Sequence, residues 1–171
     1  PRPTGTPRGG GIDLPSRATP GRFFLGSPVH DRDTTAADVL LGALPQVLTD
    51  RRVLVVGDTT GKVALSLRVR GAEVSVWNRA GADALSWPET GEQDLAVVRL
   101  PRDKGELDMA LHAVAAQLVP GGELWLSGAN DEGIKSADKR VAALFSDVET
   151  VDIRRRCRVV FGRRPARIEG L

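Results

Sequence analysis

The chain of 171 residues has little cysteine, little histidine and no long apolar run, and each shortage excludes a class of protein. A single cysteine, Cys157, excludes an internal disulfide, and with only two histidines beside it no Cys/His zinc cluster is expected. No apolar run approaches the roughly 18 residues that a membrane-spanning helix needs. The first residues, PRPTGTPRGGG, lack the apolar core of a secretory signal. These shortages predict a soluble, cytoplasmic protein without a membrane partner.

What the chain does contain is the ordinary composition of a globular domain, with 41% hydrophobic and 27% charged residues. Its length is that of one domain with a sizeable core. Residues 1–21 are rich in Pro, Gly, Thr and Arg without periodicity, which predicts a flexible arm or linker. We expect the folded domain to span residues 22–164, and residues 165–171 to form an exit segment.

Hydrophobic patterns typical of strands and helices alternate from residue 52 onward. A helix that Asp33 or Thr34 caps, and that Pro45 kinks or ends, precedes them. Strands are predicted at 52–56, 73–77, 94–100, 123–127, 148–154 and 158–162, and helices at 62–70, 106–119 and 134–145. Residues 79–93 are too short for a full helix and a further strand. The alternation predicts an α/β fold with a doubly wound, mainly parallel sheet, closed by an antiparallel C-terminal hairpin.

The sequence VLVVGDTTG at 53–61 is typical of a buried strand that runs into a glycine turn and a helix N-terminus. A phosphate-binding loop needs four residues between its first glycine and the Gly-Lys pair, whereas Gly57 and Gly61 enclose three. A dinucleotide fingerprint needs glycines where Thr59 and Lys62 stand. The turn instead resembles the glycine turn that binds S-adenosylmethionine (SAM), with Gly57 and Gly61 as its outer glycines.

With this turn, the closing hairpin and the stretches DLAVVRLPRDKGE and RRRCRVVFGRR, the chain resembles the two-domain 16S ribosomal RNA guanine-N2 methyltransferases. The resemblance covers about residues 23–164 and is closer to the family's first domain than to its second. It implies a class I, Rossmann-like methyltransferase fold whose partner, the second domain, does the chemistry and is reached through residues 165–171. It also implies that the parent enzyme uses SAM as its cofactor and acts on ribosomal RNA.

The active domains of that family differ from this chain at each SAM contact. Val55 stands where an acid precedes the turn, Thr59 replaces the middle glycine, and Asn78 replaces an acid that binds both ribose hydroxyls. The catalytic Asn-Pro-Pro-aromatic loop aligns with residues 99–102, where only Pro101 matches. Each lost contact costs about 1–3 kcal/mol, and together such losses remove micromolar binding.

The resemblance therefore implies a domain that has no catalytic residue and binds no cofactor itself. Four positions remain as vestigial cofactor contacts: Gly57, Thr59, Gly61 and Asn78. Two other acidic positions near strand ends, Asp58 and the pair at 131–132, are explained by helix capping.

The basic residues are mostly arginine, with 20 Arg against 4 Lys, and they cluster near the C-terminus. Because arginine can donate two parallel hydrogen bonds to phosphate, we predict that this cluster binds RNA. The predicted set is Arg154, Arg155, Arg156, Arg158, Arg163 and Arg164. Strand alternation predicts that Arg154, Arg156 and Arg158 share one face. Two alternatives stay open, a solvated hairpin and arginines that pair with acids of the catalytic domain.

The predicted function is a non-catalytic methyltransferase-like domain that supports a catalytic domain and contributes to RNA binding. One alternative is a stand-alone, active SAM-dependent methyltransferase that tolerates Asn78. Another is a free-standing pseudoenzyme that acts as a binding adaptor.

Overall fold

The computed structural model describes Gly5 and residues 28–79, 87–88 and 91–169. The predicted arm at 1–21, apart from Gly5, and much of segment 79–93 therefore lie outside the described residues. The α-helices described are α1 (Pro28–Ala43), α2 (Lys62–Val69), α3 (Lys104–Gln117) and α4 (Ala137–Ala142). The strands are β1 (Arg52–Val56), β2 (Glu73–Trp77), β3 (Gln93–Arg99), β4 (Leu118–Ala129), β5 (Ser146–Arg154) and β6 (Cys157–Arg163). Two short 3-10 helices, Asn130–Glu132 and Ile134–Ser136, precede α4.

The six strands form one sheet in the order β2-β1-β3-β4-β6-β5. β2, β1, β3 and β4 run parallel, and β6 is antiparallel to both of its neighbours, β4 and β5. The predicted mainly parallel sheet with a C-terminal antiparallel hairpin is confirmed. The parallel strands bring their carboxyl ends to one edge of the sheet, where β6 begins.

An apolar layer covers each face of the sheet, as β1 illustrates. Val53 and Val55 pack with residues of α1 and α2, and Leu54 and Val56 pack with residues of α3 and α4. Since both faces are covered, β1 after Arg52 is a continuous apolar run with no polar alternation. The sheet therefore presents its polar groups at the strand ends.

The first helix begins earlier than its sequence pattern predicts. α1 starts at Pro28, a residue type favoured at the first helical position because it lacks the amide hydrogen that would stay unbonded there. Asp33 and Thr34 lie inside the helix, so their predicted capping role is wrong. The helix ends at Ala43, two residues before Pro45, as predicted.

Two further boundaries differ from the prediction. β4 begins five residues early because Leu118 pairs with Gln93 of β3, and the backbone of Arg164 bonds to Gly121 and Gly122 on the other side. The predicted helix at 134–145 is a 3-10 turn followed by only six helical residues, although Ile134 and Phe145 are buried as expected. None of the helices in the described part is long and apolar enough to cross a membrane.

Candidate functional site

The turn after β1 has the geometry that its glycines predict. Gly57 and Gly61 both adopt left-handed backbone conformations, with φ of 76° and 71°. A Cβ atom on Gly57 would lie 3.3 Å from the Cβ of Arg99, so the close approach of β3 also favours glycine there. The predicted tight turn between β1 and α2 is confirmed.

Asp58 serves the turn itself. Its carboxylate accepts a hydrogen bond from the amide of Ala64 at 2.9 Å and another from the hydroxyl of Thr60 at 3.2 Å. The first of these satisfies an amide in the first turn of α2, which otherwise has no partner within the helix. The predicted capping role of Asp58 is confirmed.

A cavity of about 340 Å³ opens beside this turn, along the carboxyl ends of β1, β2 and β3. Of the four predicted cofactor contacts, Gly57, Thr59 and Asn78 line it and Gly61 does not. The Oδ1 atom of Asn78 is buried and accepts no hydrogen bond from the described residues. The fold thus keeps a cavity where the sequence resemblance implies a cofactor site.

An ion-pair network built on Arg99 forms one wall of this cavity. The Arg99 side chain is only 14% exposed, and its guanidinium lies 2.8 Å from Asp33 Oδ1 and 2.9 Å from Glu132 Oε2. Glu132 also accepts a hydrogen bond from the amide of Ala129 at 2.9 Å, and Asp33 accepts one from the Thr59 hydroxyl at 3.2 Å. The network joins α1, β3, the β1 turn and the segment after β4.

The charges in the Arg99 network stabilise one another. Burial by itself raises the pKa of Glu132, but hydrogen bonds from Arg99 and from the backbone of Ala129 outweigh it and hold that pKa below its ordinary value. Burial likewise opposes the charge of Arg99, and the two carboxylates outweigh it and raise the pKa of the guanidinium. Arg99 and Glu132 are therefore both charged at neutral pH.

The three carboxylates that line the cavity are all bound by arginines. Arg99 holds Asp33 and Glu132, and Arg79 lies 3.3 Å from Glu106. The cavity therefore offers no free carboxylate to a ligand among its described lining residues. The sequence assigned Asp33 and Glu132 to capping, which Glu132 also performs. The position of Glu132 just after β4 was the only sequence signal of a further role, because the contact of Asp33 with the β1 turn is visible only in the structure.

The C-terminal arginines divide into two groups at opposite ends of the hairpin. Arg155 and Arg156 form its two-residue turn, with positive φ at both positions, and Arg154 and Arg158 flank them. Arg163 ends β6, six residues from Cys157, and at about 3.3 Å per residue the two groups lie about 20 Å apart. The six predicted residues therefore do not form one patch.

The pairing register corrects the predicted faces of these side chains. Arg154 pairs with Cys157, and residues paired directly across two strands project to the same face. Since successive residues alternate, Arg158 projects to the opposite face from Cys157 and hence from Arg154. The prediction that Arg154, Arg156 and Arg158 share one face is wrong, because the turn reverses the chain after Arg154.

Most of the predicted arginines already have partners in the domain. Arg154 lies 3.2 Å from Asp152 and Arg155 lies 3.7 Å from Asp38. At the far end of the hairpin, Arg163 lies 3.6 Å from Glu123. Two others are held by neutral acceptors, Arg158 by the side chain of Asn130 and Arg164 by the carbonyl of Ala115.

The comparison with known families decides which family this site belongs to. The family model described as Methyltransferase small domain N-terminal matches residues 39–167, three quarters of the chain. The chain belongs to this family. The membership agrees with the resemblance that the glycine turn and the basic hairpin indicate.

Two individual relatives of the chain share one name. "Ribosomal RNA small subunit methyltransferase C" of Hahella chejuensis is 32% identical over 123 residues, 63% of this chain and 36% of the relative. The protein of that name from Vibrio cholerae is 29% identical over 143 residues, 75% of this chain and 42% of the relative. The chain spans about two fifths of the length of these relatives.

A solved structure supports both the family and the fold. An N2 methyltransferase of 16S rRNA from T. thermophilus, solved in complex with AdoMet and guanosine, superimposes with a TM-score of 0.69 at 25% identity. The match covers 80% of this chain and 40% of that protein. The class I methyltransferase fold and the resemblance to the N-terminal domain of the 16S rRNA guanine-N2 methyltransferases are confirmed.

Proposed function

We propose that this chain is a non-catalytic methyltransferase-fold domain of a ribosomal RNA guanine-N2 methyltransferase. In this role it supports a catalytic domain and contributes to RNA binding, and it binds no SAM. The observation that carries the proposal is the Arg99 network, which places a buried guanidinium and its two carboxylates in the wall of the cavity.

The residues present do not fit SAM. SAM carries a carboxylate, a sulfonium cation, an ammonium group and two ribose hydroxyls. Binding its two cations and its hydroxyls needs carboxylates or other strong acceptors. The two largely buried carboxylates of the cavity, Asp33 and Glu132, are held by Arg99, and Asn78 supplies one neutral acceptor. Glu106, which pairs with Arg79, is almost half exposed. Freeing Asp33 or Glu132 for the ligand would leave a buried charge without its partner, which costs several kcal/mol.

The length of the chain relative to its relatives supports the proposed role beside a catalytic domain. It matches about two fifths of each, and the remaining three fifths have room for the domain that performs methyl transfer with SAM. The names of the relatives refer to ribosomal RNA, which we propose as the RNA that this domain helps to bind. A cytoplasmic location goes with that proposal, because ribosomes assemble there in bacteria.

Isothermal titration of the chain with SAM and with S-adenosylhomocysteine tests the proposal. We expect no saturable heat for either ligand. The variant N78D serves as a control, since it restores an acid at the end of β2 while the Arg99 network stays in place, and we expect it to remain without binding. A dissociation constant for the unmodified chain below about 50 μM, equivalent to roughly −6 kcal/mol, would overturn the proposal that this domain binds no SAM.

A further inference from the structure

A concave surface lies beside the hairpin turn at the carboxyl end of β4. It encloses about 630 Å³ and is formed by α1, the 3-10 segment after β4 and the turn between β5 and β6. Its charged residues, which define what we call the hairpin groove, are Arg32, Asp131, Lys135, Arg155 and Arg156. By formal charge this is four cations against one anion.

Two of the four cations have no acidic partner among the described residues. Arg32 lies 2.9 Å from Asp131, and Arg155 lies 3.7 Å from Asp38. Lys135 and Arg156 are exposed, and no carboxylate oxygen of the described residues lies within 4 Å of either. Burial raises the pKa of the Cys157 thiol that also lines the groove, so no thiolate balances these charges. The groove therefore holds unpaired positive charge.

The turn that supplies Arg155 and Arg156 is fixed in an unfavourable conformation. Their φ angles of 48° and 60° correspond to a type I′ turn, for which Asn-Gly is preferred because side chains crowd the backbone in the left-handed region. Asn130 donates its amide hydrogen to the carbonyl of Arg156 at 2.7 Å, which ties the turn to the end of β4. Strain that the surrounding structure maintains is typical of functional positions.

We propose that the hairpin groove binds the sugar-phosphate backbone of RNA, with Lys135 and Arg156 as its main phosphate contacts. The inference rests on the RNA-binding role proposed above and narrows it, because Arg163 and Arg164 at the other end of β6 take no part. An RNA backbone presents a row of anions and can neutralise both unpaired cations at once. Arginine on a fixed turn suits this contact, since its fork can donate two parallel hydrogen bonds to one phosphate.

Fluorescence anisotropy with a labelled 16S rRNA fragment, measured over a range of salt concentrations, tests the groove directly. The variant K135A/R156A removes the two unpaired charges. The control R68A/R167A removes two exposed arginines that do not line the groove, one in α2 and one after β6, and changes the net charge equally. We expect the groove variant to bind about tenfold more weakly, with a log–log salt slope shallower by about 1.4, or two contacts at about 0.7 each. The control should bind within about twofold of the unmodified chain.

A second variant separates an RNA contact from a structural role of the turn. R156G removes the charge and replaces a strained residue by the one that the turn prefers, so its melting temperature should be equal or higher while its RNA affinity falls. A loss of both stability and affinity would indicate a structural role and overturn the assignment.

The remaining outcomes distinguish the groove from the wider role of the domain. If the unmodified chain binds RNA and K135A/R156A binds it equally well, RNA contacts another surface and only the groove is wrong. If the unmodified chain does not bind RNA at low salt, the proposed RNA role of the domain fails. If K135A/R156A loses affinity for poly-glutamate as strongly as for RNA, an acidic protein surface is the better occupant.

Discussion

Arg99 and Arg156 lie at the same edge of one sheet, the first at the end of β3 and the second just before β6, yet they face opposite environments. Arg99 is buried and held by Asp33 and Glu132, so its charge is neutralised inside the domain. Arg156 is exposed on a strained turn and has no acid within reach among the described residues. An arginine side chain therefore forms part of a cavity wall at position 99 and presents an unpaired charge at position 156. The neighbouring acidic side chains make this difference.

The largest effect on stability should come from removing Arg99, the buried arginine of the two. R99A leaves Asp33 and Glu132 without their cation in a poorly hydrated site, so we expect the free energy of unfolding to fall by about 3–5 kcal/mol. Urea denaturation followed by circular dichroism measures the change. The matched control is R79A, whose pair with Glu106 is almost half exposed on both sides and should contribute at most about 0.5 kcal/mol. Equal losses in the two variants would show that Arg99 is not part of a stabilising network.

The pH dependence of stability also tests the buried Arg99 network. The folded-state pKa of Glu132 lies below its unfolded value, so its contribution is fully present above the ordinary glutamate pKa of about 4.3 and is lost as the pH falls through the lower folded value. E132Q removes this titration. The stability difference between the unmodified chain and E132Q should be largest near neutral pH and shrink toward pH 3. A difference that stays constant from pH 7 to pH 3 would contradict the network.

The smallest expected effect on stability concerns the exposed turn between β5 and β6. R155G places glycine at a turn position with φ of 48°, which relieves the crowding of the side chain against the backbone. We expect the free energy of unfolding to rise by about 0.5–1 kcal/mol in thermal or urea denaturation. Glycine also adds freedom to the unfolded chain, and the weak contact of Arg155 with Asp38 is lost, so the gain stays modest. Destabilisation by more than about 1 kcal/mol would mean that the turn is not strained.

Local sequence patterns predicted the strands, helices and turns of this molecule well. They did not predict the Arg99 network in the wall of its cavity. The apolar run at β1, the two glycines of the following turn and the stripe of α3 act over a few residues, and the structure places them as expected. The Arg99 network joins residues 66 and 33 positions apart along the chain, and no local pattern encodes such a contact. The face of Arg154 was predicted wrongly for a related reason, because it depends on where the turn falls.

The comparison between the two arginine environments can be tested in one experiment on the 18.3 kDa chain. Backbone amide resonances are recorded by NMR during separate additions of SAM and of a 16S rRNA fragment. The account predicts that RNA shifts the amides of Lys135, Arg155 and Arg156, and that SAM at millimolar concentration leaves those of Gly57, Thr59 and Asn78 unchanged. Saturable shifts at Gly57 and Thr59 on addition of SAM would contradict it, since they would show that the cavity beside Arg99 still accepts the cofactor.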